Sequence, residues 1–378
     1  MKIGNLFLYK QFFQFMSLLF ESFTIGDLTI KNRFVRSPTT CYWSDEKGIL
    51  TDPILEHYEK LAKGGIGLII KGHSYVSEQG KAHRGQSGLS SEKHISRMKQ
   101  LTDIVHSLGA KIIAQLNHAG FVGMNERATA SKYVTEKWEA REFSIDEISE
   151  IIDDFSIAAE NAISADFDGV QLHGAHGYLC SQFMSDIINH RQDKYGGSLE
   201  NRARLLLDIY EAVRKKIGSK ICIGVKLNCD DFAEKKGIRI EDSIQIVKML
   251  KERKMDFIEI SGGGPEQVHE IRQSRGRAFE GSGYEEATWG GHAKKIRDDV
   301  PGIPLALVDG IRSKKTMDNL LNQNIVDLIS MSKPFINEPN LVQLFEGGQV
   351  RASCIDCRKC ISRDNFAKTM LRCFHKFP

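Results

Sequence analysis

His173, His176 and Tyr178 fall close together in the run GVQLHGAHGY, Gly169–Tyr178, where a short apolar stretch ends. Imidazoles donate hydrogen bonds and shuttle protons, and a phenol that is protonated at neutral pH can act as a general acid. One histidine by itself is more often structural. Three proton-handling groups at one strand end favour a catalytic site.

Other polar residues stand at the ends of apolar runs: Ser37, Thr39 and Thr40, then Gln115 and His118, Lys226 and Asn228, and Ser261. Burying so many without partners costs about 1–3 kcal/mol each, which points to a polar ligand among them. Lys226, inside ICIGVKLNC, is the hardest to read as plain core, because lysine is rarely buried unpaired. Further on, the VDGIR and SMSKP runs bring Gly310, Ser332 and Lys333 to the place where barrel enzymes bind phosphate. The expected ligand therefore has a phosphate at one end and a flat polar body.

The elements that must position these groups follow a steady beat. Strands are expected at 33–37, 67–71, 111–116, 169–172, 221–227, 257–261, 305–308 and 328–331, each almost continuously apolar. Helical patterns fall between them at 53–63, 92–108, 145–165, 201–217, 241–253, 291–298 and 314–322, with a last one near 341–346. Asp146 and Ser198 are the expected N-caps, and Gly109 and Gly218 the expected stops. Eight strand–helix repeats predict an α/β chain folded as a single (β/α)8 TIM barrel over residues 16–346. A doubly wound open sheet is disfavoured, since no GxGxxG opens a first helix. Two insertions, 74–90 and 121–143, follow strand ends and should overhang the catalytic face. The 195–201 run reads as structural, with Arg191 and Asp193 bracing its loop.

Of the 378 residues, 41% are apolar and 27% charged, with a net charge of +3. That is a well-cored globular chain with no argument for nucleic acid or an acidic membrane surface. Four cysteines are scattered and four crowd the last 25 residues, which suits a reducing cytoplasm better than a disulfide framework. Residues 1–15 read as an extension before Met16. Their apolar run is interrupted by Lys10, Gln11 and Gln14 and is too short to span a bilayer.

The motifs NRFVRSPTTCY, IIAQLNHAG, GVQLHGAHGYLCSQFMSDIINHRQDKYGGSLENRARL, VDGIRS and ISMSKPFINEP resemble those of the old yellow enzyme family of FMN-dependent ene-reductases. The likeness covers nearly all of residues 18–340. It implies that Ser37, Pro38 and Thr39 line the flavin edge, with Gly72 close by. Thr40 then stands near the flavin O4/N5 side, where relatives place Thr or Cys; Cys41 is not that residue. Gln115 would read the pyrimidine edge, and Lys226 would sit near N1, where a cation favours reduced flavin. Gly310, Ser332 and Lys333 would hold the phosphate. His173 and His176 match the pair that grips a substrate carbonyl, and Tyr178 matches the proton donor. The reductant would be NADH or NADPH, and the substrate an enone-type small molecule. His73, Phe121 and Ser332 depart from the family pattern, the first two in ways that bear on pocket shape.

The tail, residues 347–378, places Cys354, Cys357, Cys360 and Cys373 where zinc or a [4Fe–4S] cluster could use them, as could unligated thiols. Longer family members carry such a cluster after the barrel. Two rivals stay open: an iron–sulfur flavoprotein exchanging electrons with a partner protein, and a flavin-holding sensor barrel without turnover. A homo-oligomer is compatible with the sequence.

Overall fold

A computed structural model of the chain describes residues 17–136, 138–233, 236–263, 286–362, 365 and 370–375. The extension at 1–15 lies outside them. The chain first forms a small antiparallel hairpin, β1 (Phe23–Ile25) and β2 (Leu28–Ile30), around a turn at Gly26-Asp27. The eight barrel strands are β3 (Phe34–Arg36), β4 (Leu68–Tyr75), β5 (Lys111–Asn117), β9 (Gly169–Gly174), β10 (Cys222–Asn228), β11 (Phe257–Ser261), β12 (Leu305–Leu307) and β13 (Leu328–Met331). They pair in parallel and close into a ring, with β13 hydrogen-bonded to β3. This is the (β/α)8 barrel that the sequence predicts.

Alternation along each strand sorts side chains into an outer and an inner set. Phe34, Ile69, Ile112 and Val170 face outward into the large core shared with the helices. Val35, Leu68, Ile70, Ile113, Cys222, Phe257, Ala306 and Leu328 fill one end of the barrel interior, where Ile25, Leu28 and Ile30 of the hairpin seal it. Each large apolar side chain fully buried there contributes about 1.5–3 kcal/mol. Gly224 on β10 makes room for this layer: a Cβ would lie 2.1 Å from the Phe257 ring. Two residues further along β10 and β11, the same inward face carries Lys226 and Glu259, which are register partners. The interior thus changes from apolar to polar toward the strand C-terminal ends.

The outer helices include Asp52–Lys63, Ile95–Ser107, Ile145–Ser164, Leu199–Ile217, Ile240–Glu252, Gly290–Asp299, Lys314–Asn322 and Leu341–Glu346. Ser198 caps its helix by accepting from the Asn201 N–H, and Gly218 ends it at a φ of 83°. The expected cap at Asp146 is corrected. Ser144 is the N-cap, because its hydroxyl and the Glu147 carboxylate form a reciprocal capping box that Asp146 cannot make. Two short helices, Leu179–Met184 and Lys333–Asn337, follow β9 and β13.

The first insertion begins later than expected, because β4 runs on through Ser74 and Tyr75. The second folds as β6 (Ala128–Thr129), β7 (Tyr133–Val134) and β8 (Glu139–Glu142). Phe121 is fully buried beneath it, stacked on Tyr133 and Trp138, so it serves this small sheet's packing. Arg191 anchors the insertion by donating to the Ala130 and Phe143 carbonyls, while Asp193 holds its other nitrogens. The start of the tail is stitched to the barrel through Lys314 N–H to Val350 O and Ala352 N–H to Arg312 O. Among the described residues no helix is long and apolar enough to cross a membrane.

Candidate active site

The lower tier of the barrel mouth is a closed hydrogen-bond network. Ser37, just past β3, donates to Glu259 Oε1 at 2.7 Å and accepts from Lys226 Nζ at 2.9 Å. Ser330 on β13 donates to the same carboxylate oxygen at 2.6 Å. Gln171 on β9 donates to Glu259 Oε2 at 3.0 Å, and Gln115 on β5 donates to Gln171 Oε1 at 2.8 Å. Lys226 Nζ stands 3.2 Å from Glu259 Oε2.

The expectation that these groups lack protein partners is therefore corrected: the barrel brings residues from five strands and Ser37 together, and they bond mostly to one another. Glu259, fully buried, is the hub that sequence reasoning missed. Its signal was available, a carboxylate in the strand run FIEIS at an inward position. Burial would push its carboxyl up, but Lys226, Ser330, Ser37 and Gln171 outweigh that and hold it below the usual range. Burial dominates at Lys226 and lowers its ammonium despite Glu259.

The upper tier is less complete. His173 is the next-to-last residue of β9, its Nδ1 buried and without a partner among the described residues. His176 follows at a φ of 60°, its N–H donating to Asn228 Oδ1 and its Nε2 lying 2.7 Å from Ser261 Oγ. The two rings meet edge-on with centroids 5.5 Å apart. Tyr178, partly buried, lies 4.7 Å from the His173 ring and 5.1 Å from the His73 ring. His83 stacks on Tyr42 at 3.7 Å. Burial disfavours the charged form of three imidazoles here: first desolvation and then Lys71 bring His73 down to about 3, and desolvation brings His118 to about 4. His173 lies well below the usual histidine range, from burial first and then from His176, His73 and Lys226. Burial pushes the Tyr178 phenol up, so it stays protonated.

Beside these tiers, Thr39 Oγ1 lies 2.7 Å from Ser332 Oγ and accepts from the buried Arg36 guanidinium at 2.5 Å, a partner the sequence reading missed. Pro38 links Ser37 to Thr39 and is partly buried. Thr40 shares a small recess with Tyr58, Lys71 and Gly72. Gly72 has a packing reason of its own, since a Cβ there would lie 2.2 Å from the Thr39 carbonyl oxygen. Gly310 adopts a φ of 79° next to Asp309. Lys333 is held by two carboxylates, Asp309 at 2.9 Å and Asp356 of the tail at 2.7 Å.

Cys354, Cys357, Cys360 and Cys373 line one recess with Lys333 and Asp356. Among the described residues no three His, Cys, Asp or Glu side chains converge to hold a metal ion. The zinc or iron–sulfur expectation finds no support here. Burial, the first cause at both, raises the thiols of Cys354 and Cys360, the latter to about 11, so both are protonated at neutral pH.

A sequence model of the NADH:flavin oxidoreductase / NADH oxidase family matches residues 18–350. The chain is 34% identical over 367 residues to an NADH oxidase of Thermoanaerobacter brockii, covering 94% of this chain but only 55% of that longer protein. It is 32% identical over 329 residues to an NADPH dehydrogenase of Clostridium acetobutylicum, covering 86% and 93%. Among solved structures, a 2-naphthoyl-CoA reductase bound to 2-naphthoyl-CoA superimposes with a TM-score of 0.86 at 26% identity, over 94% of this chain and 56% of the other. An old yellow enzyme homologue from Zymomonas mobilis gives 0.73 at 27% identity, over 93% and 98%.

Proposed function

The chain belongs to the NADH:flavin oxidoreductase / NADH oxidase family, a family of NAD(P)H-dependent flavin oxidoreductases, and from that premise we propose that it reduces the activated C=C bond of α,β-unsaturated carbonyl compounds. The observation that carries this reading is the grouping of His173, His176 and Tyr178 at the mouth, with His173 Nδ1 unpartnered although buried.

The residues present fit FMN. Gln115 uses one N–H on Gln171, which leaves its second N–H and its oxygen for the edge of a pyrimidine. Lys226 keeps one ammonium proton beyond those directed at Ser37 and Glu259. Ser37, Pro38, Thr39, Thr40 and Gly72 would flank the ring system, and Gly310, Ser332 and Lys333 the phosphate. Lys333 is the weakest part of the fit, because two aspartates already match its charge. When bound, FMN supplies the hydride relay between a nicotinamide and an electron-poor alkene.

The chain's own groups do the rest. His173 and His176 donate hydrogen bonds to the acceptor's carbonyl oxygen, where negative charge grows as the double bond is reduced. His173, kept neutral by burial, can donate through a ring N–H while keeping its proton. Tyr178, kept protonated by burial, delivers its proton to the α-carbon. The closed lower tier supports the floor on which the reaction takes place.

The test is a pair of half-reactions on purified, flavin-loaded enzyme. NADH or NADPH should bleach the flavin, and cyclohexenone, added anaerobically, should restore its colour and yield cyclohexanone. Reduced enzyme that stays reduced with every enone tried would remove the proposal and leave a flavin-binding barrel.

A further inference from the structure

Strand β4 and its neighbour β5 lose register between Lys71 and Ser74: three steps on β4 answer two on β5, from Ala114 to Leu116. Such a bulge turns a side chain that strict alternation would place elsewhere. The residue it carries to the mouth is His73, buried at 5% exposure. Its Nδ1 lies 3.0 Å from Gln86 Nε2 and 3.0 Å from Asn117 Nδ2.

The amide of Gln86 has only one sensible orientation, because its Oε1 already accepts the Ala82 N–H at 2.6 Å. Its NH2 group therefore faces the imidazole. A ring nitrogen that receives the Gln86 N–H carries no proton of its own, so a neutral His73 holds its proton on Nε2. That nitrogen makes no hydrogen bond to any described residue. The centre of its ring stands 6.1 Å from that of His173 and 5.1 Å from that of Tyr178.

We propose that His73 is a third imidazole donor of the acceptor site, and that it favours alkenes bearing a second oxygen acceptor across the double bond, as in cyclic enediones. The inference rests on the ene-reductase reading and adds a specificity-determining residue to it. In an enedione each alkene carbon bears a carbonyl. One oxygen is held by His173 and His176, and the other accepts from His73 Nε2–H. Hydride originating from NAD(P)H adds to one alkene carbon, the π pair shifts toward the carbonyl at His173 and His176, and Tyr178 protonates the second carbon. The C=C bond becomes CH–CH, and His73 transfers no proton. Its hydrogen bond draws electron density from the alkene and fixes which carbon is attacked.

Two measurements on the holoenzyme decide the matter. In the first, kcat/KM is compared for ketoisophorone, a cyclic enedione, and for the matching trimethylcyclohexenone that lacks its second carbonyl. The preference for the dione should fall about tenfold in His73→Leu, as expected for one lost hydrogen bond to substrate. His73→Gln, which keeps an N–H donor, should recover part of it. A preference unchanged in His73→Leu overturns the proposal while enone reduction stands; wild-type enzyme that reduces neither compound overturns both. In the second, long-range proton–nitrogen NMR of the labelled protein should show one neutral Nε2–H imidazole that is missing in His73→Leu. A His73 found as the Nδ1–H tautomer overturns the proposal regardless of turnover.

Discussion

The two tiers of the barrel mouth are built from similar residue types and behave in opposite ways. In the lower tier, Ser37, Gln115, Gln171, Lys226, Glu259 and Ser330 bond mostly to one another, with one N–H and the oxygen of Gln115 and one Lys226 proton left over. In the upper tier, His173 Nδ1 is buried with no partner among the described residues. The difference teaches where a ligand does work. A polar group already satisfied holds the wall in place, whereas one left wanting gains on binding what burial cost it.

The sharpest way to break this contrast is to remove the hub. Glu259→Ala leaves the Lys226 ammonium buried beside Ser37 with no counter-charge, and should cost about 3–5 kcal/mol of stability, read from urea denaturation. Pairing it with Lys226→Met should restore much of that stability, yet the double variant should retain flavin poorly. Full stability in Glu259→Ala alone would mean that the lower tier is not self-supporting. In the upper tier, Tyr178→Phe should leave folding intact and slow alkene-driven reoxidation about 10²-fold, with much less effect on reduction by NAD(P)H. Equal losses in both half-reactions would take the proton-donor role away from Tyr178.

Acid should separate the tiers by pH window. His73, His118 and His173 are neutral in the folded protein and have depressed pKa values. The unfolded chain takes up their protons below about pH 6.5, where the folded chain does not. Stability is therefore complete above that pH and falls as pH drops toward 4, by about 1.4 kcal/mol per pH unit for each such histidine. Glu259 is also depressed, but its loss begins only below the ordinary glutamate value of 4.5. Denaturation curves between pH 7 and pH 4 should thus flatten in His118→Gln and stay unchanged in slope in Glu259→Gln. The smallest effect is expected at the tail: Asp356→Asn frees Lys333 from one of its two carboxylates and should tighten FMN retention by about two- to fivefold, in line with the modest worth of such pairs. Fluorescence of released FMN measures it.

Much of this was legible in the chain. Strand positions came out within a few residues because strands covered on both faces are continuously apolar, and the count of eight forced the ring. The His173, His176 and Tyr178 cluster was visible because its members are neighbours in sequence. The lower network was not, because its bonds join Ser37 to Glu259 across 222 positions and Gln171 to Glu259 across 88. Composition can show that Lys226 needs a partner but cannot say which. The β1–β2 hairpin left a readable sign, a two-residue Gly-Asp turn between short β-branched runs, yet its role depends on where the ring closes. The bulge at Gly72-His73 exists only in the pairing of β4 with β5 and has no signature in either strand alone.

That hairpin has a further consequence. Its Ile25, Leu28 and Ile30 belong to one cluster with side chains from seven of the eight barrel strands, so this hairpin stoppers one end of the cylinder. The folding free energy gathered at that end leaves the opposite rim at liberty to trade residues. A protein so divided can change what it recognises without renegotiating how it stands up, and anyone redesigning its selectivity should leave the lower storey untouched and vary only the rim.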